Sequence, residues 1–169
     1  NNNFETIIKN KTEEYYTNNK KNKIFKSNQK IELAKTISES ININEYLESV
    51  IYINVDNNNH IFTSFPKLKP IIHPDNIELI VNYVDTLILK VLETYDHYYM
   101  HIDIFSLTVS NTQRMMPLIQ RFLSTCDTYR SHKLKKTYIY NPPNVIQNLR
   151  YILEPMLDRE TLKKVVYAN

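Results

Sequence analysis

Beyond residue 48 the apolar positions switch between two rhythms. Val50, Ile51, Tyr52, Ile53 and Val55 are β-branched or aromatic in close succession, which predicts a strand over 49–56. Asn57-Asn58-Asn59 supplies a turn and 60–65 reads as a second strand, so the two form a hairpin. Pro66 and Pro70 mark a loop. After Pro74-Asp75-Asn76 the spacing turns helical: Ile77, Ile80, Val81, Val84, Leu87, Ile88, Val91 and Leu92 form one apolar stripe up to about Tyr95. Residues 98–105 return to a strand that is apolar on both faces, as expected of a central strand covered by helices on each side. Ser110-Asn111 caps a helix with Met115, Leu118, Phe122 and Cys126 inward, and 136–140 is a further strand. Pro142-Pro143 opens a helix through Leu153, Asp158 caps a short helix over 159–164, and 165–167 forms the last strand. This order predicts an α/β fold: a mixed, partly parallel sheet of about five strands flanked by helices.

The first 48 residues read differently. Residues 1–30 are polar and rich in Asn and Lys, with Phe4, Ile7 and Ile8 as a small apolar cluster, which predicts a frayed helix or a partly ordered arm. Ile31, Leu33, Ala34 and Ile37 suggest a short helix after it. The expected organisation is an arm with short helices over 1–48 and a folded domain over 49–169.

Composition narrows the function. The chain has 169 residues, 42% of them hydrophobic and 23% charged, which is enough for one core and too apolar for a disordered tail. No apolar run nears the roughly 18 residues of a membrane span. The first residue is Asn and no signal-peptide pattern follows, so the expectation is a cytoplasmic piece of a longer chain. Asn, Ile, Lys and Tyr are abundant, all served by A/T-rich codons, which points to an AT-rich genome and says nothing about chemistry. The chain has no glycine. That excludes the dinucleotide fingerprint, the phosphate-binding P-loop and the Gly-flanked nucleophile elbow, and it leaves left-handed turn positions to residues such as Asn. Cys126 is the one cysteine, so neither an internal disulfide nor a cysteine-based zinc cluster can form, and it is expected to be a buried, inert thiol.

Net charge is +3, but residues 1–30 hold seven lysines against three glutamates. The basic character is therefore a property of the N-terminal segment, and it suggests contact with anionic membrane surfaces. Nucleic acid is not expected as a partner, because few aromatics lie between the lysines. His97 and His101 are four apart, which in a strand separates them by about 13 Å, so no metal site is expected there. No serine sits in a recognisable nucleophile turn, so no catalytic residues, metal or cofactor are expected. Asp103, inside an apolar strand, is expected to cap nearby backbone.

The most specific stretch is C-terminal: Lys136-Thr-Tyr-Ile-Tyr-Asn141-Pro142-Pro143, then Glu154-Pro155-Met156-Leu157-Asp158, then Thr161-Leu-Lys163-Lys164-Val165. Upstream lies Ile102-Asp103-Ile104-Phe105-Ser106-Leu107-Thr108-Val109-Ser110. Together these resemble the CRAL-TRIO (Sec14-like) lipid-binding domains over residues 49–168, with Ser106 where that family usually has glycine. The resemblance implies a non-enzymatic domain with an apolar pocket for one lipid or other hydrophobic small molecule. Tyr98, Met100, Ile102 and Ile104, with Thr137 and Ile139, are expected to line the pocket. Thr161 and Lys164 match the residues that contact a headgroup phosphate in phosphatidylinositol-binding members. The family's acidic residue that holds the inositol ring falls on His132, and its choline-binding hydroxyls fall on Tyr98 and Met100. The family's preceding helical domain is expected to be absent or much shortened, and its gating helix, which would follow residue 169, either lies beyond this fragment or is missing from a reduced domain that recognises partners instead. The competing expectation is a BCH-type protein-interaction module of the same fold, with a protein partner and no lipid cargo.

Overall fold

The computed structural model describes residues 2–125 and 128–168, and Cys126 lies outside them. The chain opens on α1 (Asn2–Asn18) and α2 (Lys26–Glu39). Of the two expectations for residues 1–30, a frayed helix or a partly ordered arm, the helix holds over Asn2–Asn18, seventeen residues long. Its polar composition hides a usable face: Phe4, Ile8, Tyr15 and Tyr16 pack against the core, and the Phe4 ring meets Tyr46 edge-on at 5.4 Å. Next comes α3 (Ile43–Val50), which takes the first two residues of the expected strand. Asn42 caps it by accepting from the Glu45 amide, and Tyr46, Leu47 and Val50 fall on its buried side.

The strands are β1 (Ile51–Ile53), β2 (His60–Ser64), β3 (Tyr98–Asp103), β4 (Leu134–Tyr140) and β5 (Val165–Ala168). They stand side by side in chain order; β1 is antiparallel to β2 and every later pair is parallel. The hairpin, the mixed sheet and the last strand follow the sequence expectation. Between the strands run α4 (Phe65–Leu68), α5 (Ile77–Leu92), α6 (Val109–Thr125), α7 (Thr128–Lys133), α8 (Ile146–Leu153) and α9 (Arg159–Lys163). The helix expected from Pro142 starts later, because the Ile146 amide already turns back to the Pro143 carbonyl. Asp158 caps α9 through the Thr161 amide, as its position predicts.

All three parallel crossovers step the same way along the sheet. Right-handed connections then place α5, α6 and α8 on one face. Ile80, Val81, Val84, Ile88 and Val91 of α5, Met115 and Leu118 of α6 and Leu149 of α8 share one core with the strand residues Ile51, Ile61, Tyr98 and Met100. None of these three helices packs on the opposite face, which carries Phe62, His101 and Tyr138. This corrects the expectation of helices on both sides of β3.

Two backbone positions shape the carboxyl ends of the strands. Ser106, just after β3, has φ 61°, and Asn141, just after β4, has φ 52°. Without glycine, a serine and an asparagine hold these left-handed turns. Asp103 binds both loops: its Oδ1 accepts from the Phe105 amide and from Asn141 Nδ2, each at 2.9 Å.

Candidate functional site

Strand side chains alternate, so the register sorts them into two sets. On the covered face, Met100 stands between Ile61 and Thr137, and Ile102 between Thr63 and Ile139. On the open face, His101 stands between Phe62 and Tyr138, with Tyr99 beside His60 and Asp103 beside Tyr140. The open face is a band of stacked rings. Tyr52 lies over Phe62 at 5.9 Å, Phe62 over His101 at 4.1 Å, His101 over Tyr138 at 4.9 Å and His60 over Tyr99 at 4.4 Å. A face made of aromatic rings and not covered by α5, α6 or α8 offers apolar area while keeping polar edges in reach of water.

His101 is the hub. It is 7% exposed although it sits on the open side, because rings cover it on three flanks. His60 Nδ1 and His101 Nε2 are 2.7 Å apart, and His101 Nδ1 is 2.7 Å from the Tyr140 hydroxyl. A neutral imidazole donates from one nitrogen and accepts at the other, so it satisfies both contacts at once. Burial, and then the charge of His60, pushes the His101 pKa down to about 4. Burial, and then His97, lowers that of His60. His97 in turn pairs with Asp96 and holds that carboxyl below its usual range.

An open depression of about 260 Å³ lies at the carboxyl end of this face, lined by Phe62, Thr63, His101, Asp103, Tyr140 and Asn141. That is where ligands gather in sheets with parallel strands, since loops diverge there and leave a crevice. Among the described residues no three metal-ligating side chains converge.

The CRAL/TRIO domain family model matches residues 48–169. The chain belongs to the CRAL/TRIO domain family. Among solved structures it resembles the crystal structure of Sfh5, at 13% identity and a TM-score of 0.55, covering 99% of this chain and 67% of that one. At that identity the likeness speaks for the fold alone. No curated protein matches the chain. The family and the fold support lipid binding in general terms, and its members are typically non-enzymatic. No helix among the described residues is long and apolar enough to cross a membrane.

Within this CRAL/TRIO domain the residues expected to line a pocket do share one face. Tyr98, Met100 and Ile104 are core residues, Ile102 and Ile139 pack against that core, and Thr137 is half-buried beside Met100. The Tyr98 hydroxyl donates to the Arg130 carbonyl. That face is the one under the helices.

Thr161 and Lys164 stand one turn apart, the Lys164 amide donating to the Thr161 carbonyl at 3.0 Å, and their side chains hold different partners. The Thr161 hydroxyl donates to Asp158 Oδ2 at 2.7 Å, and Lys164 Nζ donates to the Ser131 carbonyl at 2.7 Å, tying the end of α9 to α7. Lys164 is the residue after α9. Sequence reasoning passed over His60, Phe62, Tyr99, His101 and Tyr140. Their one signal was the other half of the alternation, Tyr99 and His101 between the apolar positions of β3.

Proposed function

We propose that this CRAL/TRIO domain binds, without catalysis, one lipid or other small hydrophobic ligand laid on the aromatic face of its sheet. One observation carries the reading: the face under the helices is filled by core side chains, while the opposite face is a ring-lined surface with an open depression beside His101. The depression, at about 260 Å³, is just below the roughly 300–1,000 Å³ of small-molecule sites, so it takes a headgroup or one end of a chain. Burial of apolar area supplies the affinity, at roughly 0.8 kcal/mol per covered methylene. The Asp103 carboxylate and the Tyr140 hydroxyl, which His101 holds in place, supply polar contacts for an end group.

Transfer or presentation of the ligand fits such a site. A headgroup phosphate takes the Thr161 hydroxyl hydrogen only if that hydroxyl leaves Asp158, whereas the Lys164 ammonium keeps two further donors beside its bond to the Ser131 carbonyl. On this reading the domain works in the cytoplasm and touches anionic membranes through residues 1–30. Native mass spectrometry of the protein as purified, and after incubation with mixed-lipid vesicles, tests it. A one-to-one complex with a lipid, weakened at least tenfold by Phe62→Asp, is the expected result. Protein that stays empty in both cases overturns the proposal and favours the protein-interaction alternative.

A further inference from the structure

A second feature lies outside the ring-lined face. Arg114, on the second turn of α6, is half-buried, and its buried Nε has no hydrogen-bond partner among the described residues. Its neighbours are cations rather than carboxylates. Lys30 of α2 reaches Asn111 Oδ1 at 3.4 Å, one turn before Arg114. Burial, and then the charges of Arg114, Lys26 and Lys69, lower the pKa of Lys30; burial, and then Arg114, lower that of Lys69. Burial likewise lowers that of Arg114, with Tyr16 opposing. Lys69 Nζ lies over the Phe65 ring at 5.9 Å. Like charges gathered in a partly dry site repel one another, and an anion placed among them relieves that cost and meets the unpartnered Arg114 Nε.

The adjoining loop identifies the anion's carrier. Between Glu14 and Glu32 the chain has no acidic residue and five lysines. The tip of the α1–α2 connection is Ile24, 84% exposed, and Phe25, 59% exposed, directly before Lys26. This tip is braced. Asn22 Oδ1 accepts from the amides of Ile24 and Phe25, and Gln29 accepts from the Asn22 amide while donating to the Lys20 carbonyl. A rigid loop that holds two apolar side chains out in water inside a collar of lysines suits the boundary of an anionic bilayer. A soluble anion has no use for Ile24 and Phe25.

We propose that Arg114, Lys30 and Lys69 form a seat for the phosphate of an anionic membrane lipid, with Ile24 and Phe25 inserting beside it. This rests on the membrane-contact reading given above and deepens it, because two of the three seat residues lie outside residues 1–30.

The test uses the full chain and phosphatidylcholine vesicles with and without phosphatidylserine. Each basic side chain near such a surface contributes roughly a factor of five, so a Lys30→Gln/Lys69→Gln/Arg114→Gln variant is expected to bind anionic vesicles roughly a hundredfold more weakly. Lys90→Gln/Lys163→Gln, two exposed lysines of α5 and α9 outside residues 1–30 and outside the seat, is expected to stay within about threefold. Ile24→Ser/Phe25→Ser is expected to lose vesicle binding at least tenfold while keeping its affinity for soluble inositol hexakisphosphate. Arg114→Met is expected to melt no lower than the parent, since it removes an unpaired cation.

If the parent ignores anionic vesicles at low salt, the membrane-contact reading itself fails. If the parent binds and the triple variant binds equally, the seat alone is refuted. Equal losses in the Lys90/Lys163 control would assign binding to diffuse charge and refute the seat. Unchanged vesicle binding by Ile24→Ser/Phe25→Ser would reassign the site to a soluble anion. A drop in melting temperature for Arg114→Met with vesicle binding intact would make Arg114 structural.

Discussion

Acid should unfold this protein partly through one imidazole. His101 titrates near 4 in the folded chain against 6.5 when solvated, because the rings around it disfavour its charged form. Between those values the unfolded chain holds a proton that the folded chain refuses. Stability attributed to His101 is therefore fully present above about pH 6.5 and is lost as pH falls towards 4. The ceiling on the loss is about 3.4 kcal/mol, from 1.36 kcal/mol per pH unit. The face is open to water, and screening reduces the expected loss to about 1–2 kcal/mol. His60 acts in the same direction, and carboxylates titrate at the lower end of the window, so a comparison of variants is needed. His101→Phe keeps a ring in the stack and removes the titration. The assay is urea unfolding followed by tyrosine emission at several pH values from 7 to 4.5, practical because the chain has 13 tyrosines and no tryptophan. The parent is expected to lose about 1–2 kcal/mol more than His101→Phe over that range. Parallel pH profiles for the two proteins, or an NMR titration of His101 centred at or above 6.5, would refute the reasoning.

Three further outcomes test the scaffold. Ser106→Gly relieves a non-glycine residue at φ 61°, and its melting temperature is expected to rise by roughly 2–4 °C, corresponding to about 1 kcal/mol; a fall would show that the serine side chain is worth more than the strain. Leu149, 1% exposed, is the buried residue of α8, so Leu149→Ala is expected to cost about 2–5 kcal/mol in denaturant unfolding, and a cost under about 1 kcal/mol would mean that α8 is not anchored to the core. Lys164→Ala removes the bond to the Ser131 carbonyl and is expected to cost about 0.5–1.5 kcal/mol in the same assay, with no loss indicating that the contact is absent in solution.

Much of the fold was legible from local chemistry. Runs of β-branched and aromatic residues marked the strands, the apolar stripe of 77–92 marked α5, and Asp158 announced α9, because these signals act over a few residues. The absence of glycine predicted that other residues would take the left-handed turns, and Asn141 and Ser106 do so. The helix α1 was harder to read, since Phe4, Ile8 and Tyr15 are too sparse to define a stripe until Tyr46 and the core give them something to cover.

The location of the candidate site was settled only in three dimensions. Alternation along β3 separates Tyr98, Met100 and Ile102 from Tyr99, His101 and Asp103, but both sets carry apolar or aromatic character, so the sequence defines two faces without saying which one the helices cover. The direction of the crossovers decides that. His60, His101 and Tyr140 come from three strands some 40 residues apart in sequence, and only strand register brings their polar atoms to 2.7 Å. Lys30, Lys69 and Arg114 likewise belong to separate elements. Each looks like an ordinary surface cation by itself, and their mutual repulsion exists only once α2, the end of α4 and α6 are packed in the fold.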